Sequence, residues 1–102
     1  MHQVDIVIPA NHPSTIGHFP GNPIVPGAML LSEVIGAWEG LLGGPVESST
    51  VKVAKFLSPT RPGDRVSIQF ERVGVDDVKF ACVVNDTTVL SGRFVYTQLS
   101  PH

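Results

Sequence analysis

The sequence has one cysteine, no charge excess and no long apolar run, and each shortage excludes something. Cys82 alone cannot close an internal disulfide, so a fold of 102 residues must be held together by burial. A chain of roughly 100 residues buries only about two thirds of its unfolded surface, a limit that pairing with a second subunit relieves. Seven Lys and Arg against nine Asp and Glu give a net charge of −2. That leaves no global basic field to hold a nucleic-acid backbone. With 16% charged and 42% hydrophobic residues, the chain is not of disordered composition. No apolar stretch approaches the length of a membrane span, and the N-terminus shows no basic segment followed by an apolar core. A single cytoplasmic domain over residues 1–102 is expected.

What is present in surplus is glycine and proline, ten and nine of them. Five of the prolines and three of the glycines fall between Pro9 and Gly27, a density that no helix interior or central strand accepts, so a long shaped loop is expected there. Residues 28–42 then place Leu30, Leu31, Val34, Ile35, Trp38, Leu41 and Leu42 on one arc at roughly 100° per residue. Ser32, Glu33, Gly36, Glu39 and Gly40 occupy the other arc. This predicts one amphipathic helix, opened by Pro26-Gly27 and closed by Gly43-Gly44-Pro45.

On either side the period falls to two. Val4, Ile6 and Ile8 alternate before the loop, and residues 51–57, 65–73, 77–84 and 88–99 alternate after the helix, predicting five strands. Asn85-Asp86, tolerant of positive φ, reads as a tight hairpin turn. One strand, one helix and four successive strands imply an α+β domain, an antiparallel sheet packed on a single helix. Cys82, in phase with Val78 and Phe80, is expected in the core, as is Trp38 on the apolar arc of the helix. No metal site is expected, since His12 and His18 lie six apart with no Cys or nearby carboxylate.

Two segments resemble a known family. His18-Phe19-Pro20-Gly21-Asn22-Pro23-Ile24-Val25-Pro26-Gly27, followed by the apolar helix, is similar to the signature of the hot-dog-fold 3-hydroxyacyl acyl-carrier-protein dehydratases. Lys55-Phe56, Pro59 and Pro62-Gly63-Asp64 resemble that family's second motif, in the right order. The short N-terminal region is closer to the compact dehydratase-like proteins of bacterial secondary-lipid and aryl-polyene clusters. The resemblance implies a hot-dog fold, an antiparallel sheet wrapped around one central helix. It also implies a homodimer or higher even oligomer with sites at the subunit interface, a thioester substrate on acyl carrier protein or coenzyme A, and no cofactor. In the same way it implies that His18 is the catalytic histidine and that the Gly27 N–H binds the thioester carbonyl, with Phe19, Pro26 and Ser32 lining the substrate.

One position departs from the pattern. The family's helix acid lies fourteen residues after the histidine, and here that residue is Ser32. Glu33 follows, rotated by roughly 100° and shifted about 1.5 Å along the axis. Three readings stay open: Glu33 reaches the site as the acid, His18 makes both proton transfers beside Ser32, or dehydration is lost. A hot-dog thioesterase and a catalytically silent acyl- or carrier-binding subunit are the alternative functions. Lys52, Lys55, Arg61 and Arg65 fall within fourteen positions containing one acid, Asp64. Such a cluster suits a phosphopantetheine phosphate or an acidic carrier, or else a solvated strand edge.

Overall fold

A computed structural model describes residues 2–8 and 24–98. Its elements are β1 (His2–Val7), α1 (Gly27–Leu42), β2 (Val46–Phe56), β3 (Arg65–Arg72), β4 (Asp77–Val84) and β5 (Thr87–Gln98). The strands form one antiparallel sheet in the order β1-β3-β4-β5-β2.

The core lies between α1 and one face of this sheet. Leu30, Val34 and Trp38, each four residues apart, are the fully buried line of the helix. They meet the alternate residues Val66, Ile68 and Phe70 of β3, Val78, Phe80 and Cys82 of β4, and Phe94 and Tyr96 of β5 in one cluster. Trp38 is 2% exposed. Its ring stands 5.1 Å from that of Phe70 and 5.8 Å from that of Tyr96, in tilted and edge-on arrangements that suit aromatic quadrupoles. The Arg72 guanidinium lies 5.4 Å from the Trp38 ring centre, a cation–π contact at the margin of the cluster. Leu41, expected on the apolar arc, is exposed near the helix end.

Turns follow the sequence chemistry. Asn85 and Asp86 take positive φ values of 49° and 63° and join β4 to β5. Gly43, at φ +83°, ends the helix and donates its N–H to the Glu39 carbonyl at 3.0 Å. The Glu39 carboxylate in turn accepts from the Val46 N–H at 2.8 Å, tying the end of α1 to the start of β2.

β2 differs most from its expected form. It begins five residues before the expected start at Val51, because its first turn of sequence is polar and carries no alternation to read. Strict alternation would also put Val51 and Val53 on one face. A register shift between them sets Val51 opposite buried Phe94 and Val53 opposite Arg93 on the other face. β2 is an edge strand, almost wholly exposed, with Val53 41% and Phe56 55% exposed. The basic cluster is divided by the same topology. Lys52 and Lys55 lie on β2 and Arg65 on β3, three strand positions apart.

β2 also crosses β5 closely at Gly92. A Cβ there would collide with the backbone carbonyl of Val53 and lie 2.8 Å from the Phe80 ring. Gly92→Ala is therefore expected to cost about 1–3 kcal/mol, read as a lowered urea midpoint with an unchanged slope. Cys82 yields a pH signature. Burial pushes its thiol from 9.0 up to about 12, so between these values the unfolded chain holds fewer protons than the folded one. The contribution of Cys82 is complete below pH 9 and is lost as the pH rises toward 12, with a slope approaching about 1.4 kcal/mol per pH unit. Cys82→Ala should remove that fall from a plot of unfolding free energy against pH.

Candidate active site

The two motifs singled out in the sequence meet in space through their backbones. The Val25 N–H donates to the Thr60 carbonyl at 2.7 Å, fixing the approach to α1 against the second motif. Ile8 is bonded twice to the same turn: its N–H donates to the Asp64 carbonyl at 3.0 Å and its carbonyl accepts from Gly63 N–H at 2.6 Å. Gly63 takes φ +90°, a backbone conformation open to glycine and strained for residues with a side chain. The turn is closed by Asp64, whose carboxylate accepts the Arg61 N–H at 2.8 Å. The last described residues on either side of the histidine-bearing segment are thus held by one short turn, 60–64. His18 and Phe19 themselves lie outside the described residues.

α1 starts without a conventional cap. Pro26, extended at φ −60° and ψ 142°, offers no side-chain hydrogen bond, and the first turn holds no acid. The Pro26 carbonyl accepts from Met29 and Leu30 N–H. The preceding N–H groups, those of Gly27 and Ala28, have no intrahelical acceptor, and they sit where the helix dipole is positive. The Phe56 ring covers this start, since a Cβ on Gly27 would lie 2.6 Å from it. Gly27, Leu30, Phe56, Ser58 and Thr60 contribute to the wall of a cavity of about 490 Å³, whose remaining lining, Ile24 and Leu57 among it, is apolar. It combines a largely apolar wall with the first backbone donors of a helix, groups of the kind that stabilise negative charge developing on a carbonyl oxygen.

A second groove, of about 290 Å³, runs between α1 and β2 and is lined by Leu31, Ser32, Ile35, Gly36, Glu39 and Ser49. Ser32 faces it, with its hydroxyl donating back to the Ala28 carbonyl at 3.1 Å. Glu33 is half-buried and lines neither this groove nor the cavity at Gly27. The carboxylate that shares the groove with Ser32 is Glu39, overlooked on the polar arc although seven residues, roughly two turns, keep it on the same helix face. Phe56 and Thr60 also gain their place here only through the fold. A trough of about 450 Å³ on the sheet face away from α1, floored by Ala81, Ser91 and Gly92, holds none of the expected site residues. Among the described residues no cluster of His, Cys, Asp or Glu is arranged to hold a metal ion, and no helix is long and apolar enough to cross a membrane.

Known structures place this architecture among the hot-dog folds. The chain superposes with a TM-score of 0.80 on the dehydratase heterocomplex ApeI:P from Xenorhabdus doucetiae, at 21% identity over 94% of this chain and 86% of that one. With the (R)-hydratase from A. caviae involved in PHA biosynthesis the TM-score is 0.66, at 16% identity over 96% and 93% of the two chains. Residues 1–93 match the family described as ApeI dehydratase, and the chain belongs to this ApeI-like family. Among curated relatives, the 3-hydroxyacyl-acyl-carrier-protein dehydratase FabZ of Chloroflexus aggregans is 31% identical over 93% of this chain and 74% of its own length. The FabZ of Rhizobium rhizogenes is 41% identical over 58% of this chain. The chain spans about half the length of several of these relatives, 42% for Rhizobium rhizogenes and 46% for Rhizobium etli.

Gly27 has ordinary helical backbone, and the atoms that a Cβ would meet belong to the end of an exposed, movable ring. Gly27→Ala is expected to change stability by less than about 1 kcal/mol while displacing the Phe56 ring. Double-mutant cycles with Phe56→Ala should show coupling between the two positions.

Proposed function

We propose that the protein is a 3-hydroxyacyl-thioester dehydratase, taking its substrate on acyl carrier protein or coenzyme A and working in the cytoplasm as a homodimer or higher even oligomer. The observation that carries this reading is the uncapped start of α1 at Gly27, opening into an apolar cavity built jointly by the two family motifs. In this mechanism the Gly27 N–H receives the thioester carbonyl and stabilises the enolate-like charge as the C2 proton leaves. His18 takes that proton. The C3–O bond then breaks, and the hydroxyl leaves as water after accepting a proton. Phe19, Pro26 and Ser32 line the substrate.

The proton for the departing hydroxyl has two sources on this reading, Glu33 or the imidazolium formed at His18. Glu33 lines neither the cavity at Gly27 nor the groove of Ser32, which favours His18, and Glu33→Gln decides between them. A rate loss of about 10²-fold or more assigns the acid to Glu33. An unchanged rate leaves both transfers with His18. Homodimer formation is supported by the long exposed edge of β2, whose outer side pairs with no other described strand and whose exposed Val53 and Phe56 suit pairing with another strand.

A second reading rests on Ser32 at the family's acid position. There the chain is a weakly active or silent subunit that pairs with an acid-bearing paralogue. The related ApeI:P structure is itself a heterocomplex. Incubation with 3-hydroxyacyl thioesters, following enoyl product, separates the readings. The proposed enzyme forms enoyl product and loses it in His18→Ala. Free thiol without enoyl product identifies a thioesterase instead. Binding without turnover, converted to turnover by Ser32→Asp, selects the silent subunit.

A further inference from the structure

Thr60 is 3% exposed, and its hydroxyl oxygen is buried with no hydrogen-bond partner among the described residues. Unpaired buried hydroxyls are unfavourable, and a valine would fill nearly the same volume without that cost. The position is also well fixed. The Thr60 carbonyl is bonded to Val25 N–H at 2.7 Å, and the β-branched side chain has few rotamers to sample. Thr60 lines the same cavity of about 490 Å³ as Gly27. Apart from Ser58, the other side chains around it, among them Ile24, Leu30, Phe56 and Leu57, are apolar. Among the described residues, the polar groups around the chamber are the N–H groups at the start of α1, the exposed Ser58 and the Thr60 hydroxyl, and of the two hydroxyls only that of Thr60 is buried without a partner.

We propose that Thr60 is a specificity-determining residue whose hydroxyl hydrogen-bonds the 3-hydroxyl of the acyl substrate while its carbonyl sits at Gly27. This inference rests on the dehydratase reading for the identity of the substrate. The acyl part of a 3-hydroxyacyl thioester carries two polar oxygens, the carbonyl and the C3 hydroxyl, separated by three carbons. The carbonyl only accepts, which matches the N–H donors. The C3 hydroxyl both donates and accepts, which matches a threonine hydroxyl. A site that leaves a buried polar group unpaired when the ligand lacks its partner discriminates against that ligand.

The test uses 3-hydroxyhexanoyl-coenzyme A and hexanoyl-coenzyme A, with dissociation constants measured on His18→Ala protein so that no turnover intervenes. The expected preference for the hydroxylated probe is about two- to tenfold, the range of one neutral hydrogen bond. Thr60→Val in the same background should erase that preference while leaving affinity for hexanoyl-coenzyme A unchanged, and Thr60→Ser should keep it. Without ligand, the Tm of Thr60→Val should be equal to or above that of the parent. An equal preference in the parent and Thr60→Val overturns the assignment, as does parallel weakening of both probes with a lowered Tm, or no binding of either probe. Dehydration by the wild-type protein with a ratio indifferent to Thr60 sinks this inference and leaves the enzyme standing. A Thr60-dependent ratio in a protein with no dehydration sinks the enzyme and leaves the recognition.

Discussion

Val25 has one N–H to donate, and the structure gives it the carbonyl of Thr60. Two residues later the helix begins, so this bond sets the position of the first turn of α1 relative to segment 57–64. Ile8 is anchored to the far end of the same segment through Gly63 and Asp64. One turn thereby holds the end of β1, the start of α1 and the wall of the cavity. The proline content of the neighbourhood has a physical sense here. Proline has no N–H to satisfy, and its fixed φ limits how the chain can move away from these anchors.

The helix start is the complementary half of that arrangement. Most helices cover their first N–H groups with Ser, Thr, Asp or Asn, and here Pro26 supplies no such cap. A carboxylate in the first turn would be favourable for stability, yet it would also compete for the donors and repel an enolate-like oxygen. On the proposed function, the stability forgone by leaving out a side-chain cap is what keeps these donors for the substrate. The burial of Trp38, Val34 and Leu30 supplies what holds the helix in place instead.

Much of the fold was legible because burial writes periodicity into a sequence. The four-residue spacing of Leu30, Val34 and Trp38 and the alternation of Val78, Phe80 and Cys82 both report a single buried face. The start of β2 was not legible, since a strand exposed on both faces has no apolar phase and its bulge breaks what phase there is. The basic cluster is spread over separate strands for a topological reason. Consecutive strands β2 and β3 lie three positions apart in the sheet, so nearness in sequence is not nearness in space. At the site, Gly27 and Ser32 were reached through motif spacing, and the structure places them on two different openings, the cavity and the groove. The burial of Thr60 was invisible, because a threonine between two prolines reads as a turn former. Only the tertiary fold buries its hydroxyl.

The placement of Ser32 links the chemistry of the protein to its assembly. Its groove lies between α1 and β2, with Ser49 of β2 on one wall, and β2 is the edge strand. Any chain that pairs with β2 therefore comes to lie along the border of this groove and changes its depth, its access to water and its local dielectric. A carboxylate or imidazole brought there by a second chain would act in a drier setting than the isolated protomer offers, where electrostatic interactions are stronger. The same pairing covers exposed Val53 and Phe56 and satisfies the edge of the sheet. On the proposed function, association serves stability and site completion through one surface. Under the proposed function, the absence of an acid at Ser32 is a matter of which chain docks against β2 as much as of what α1 carries.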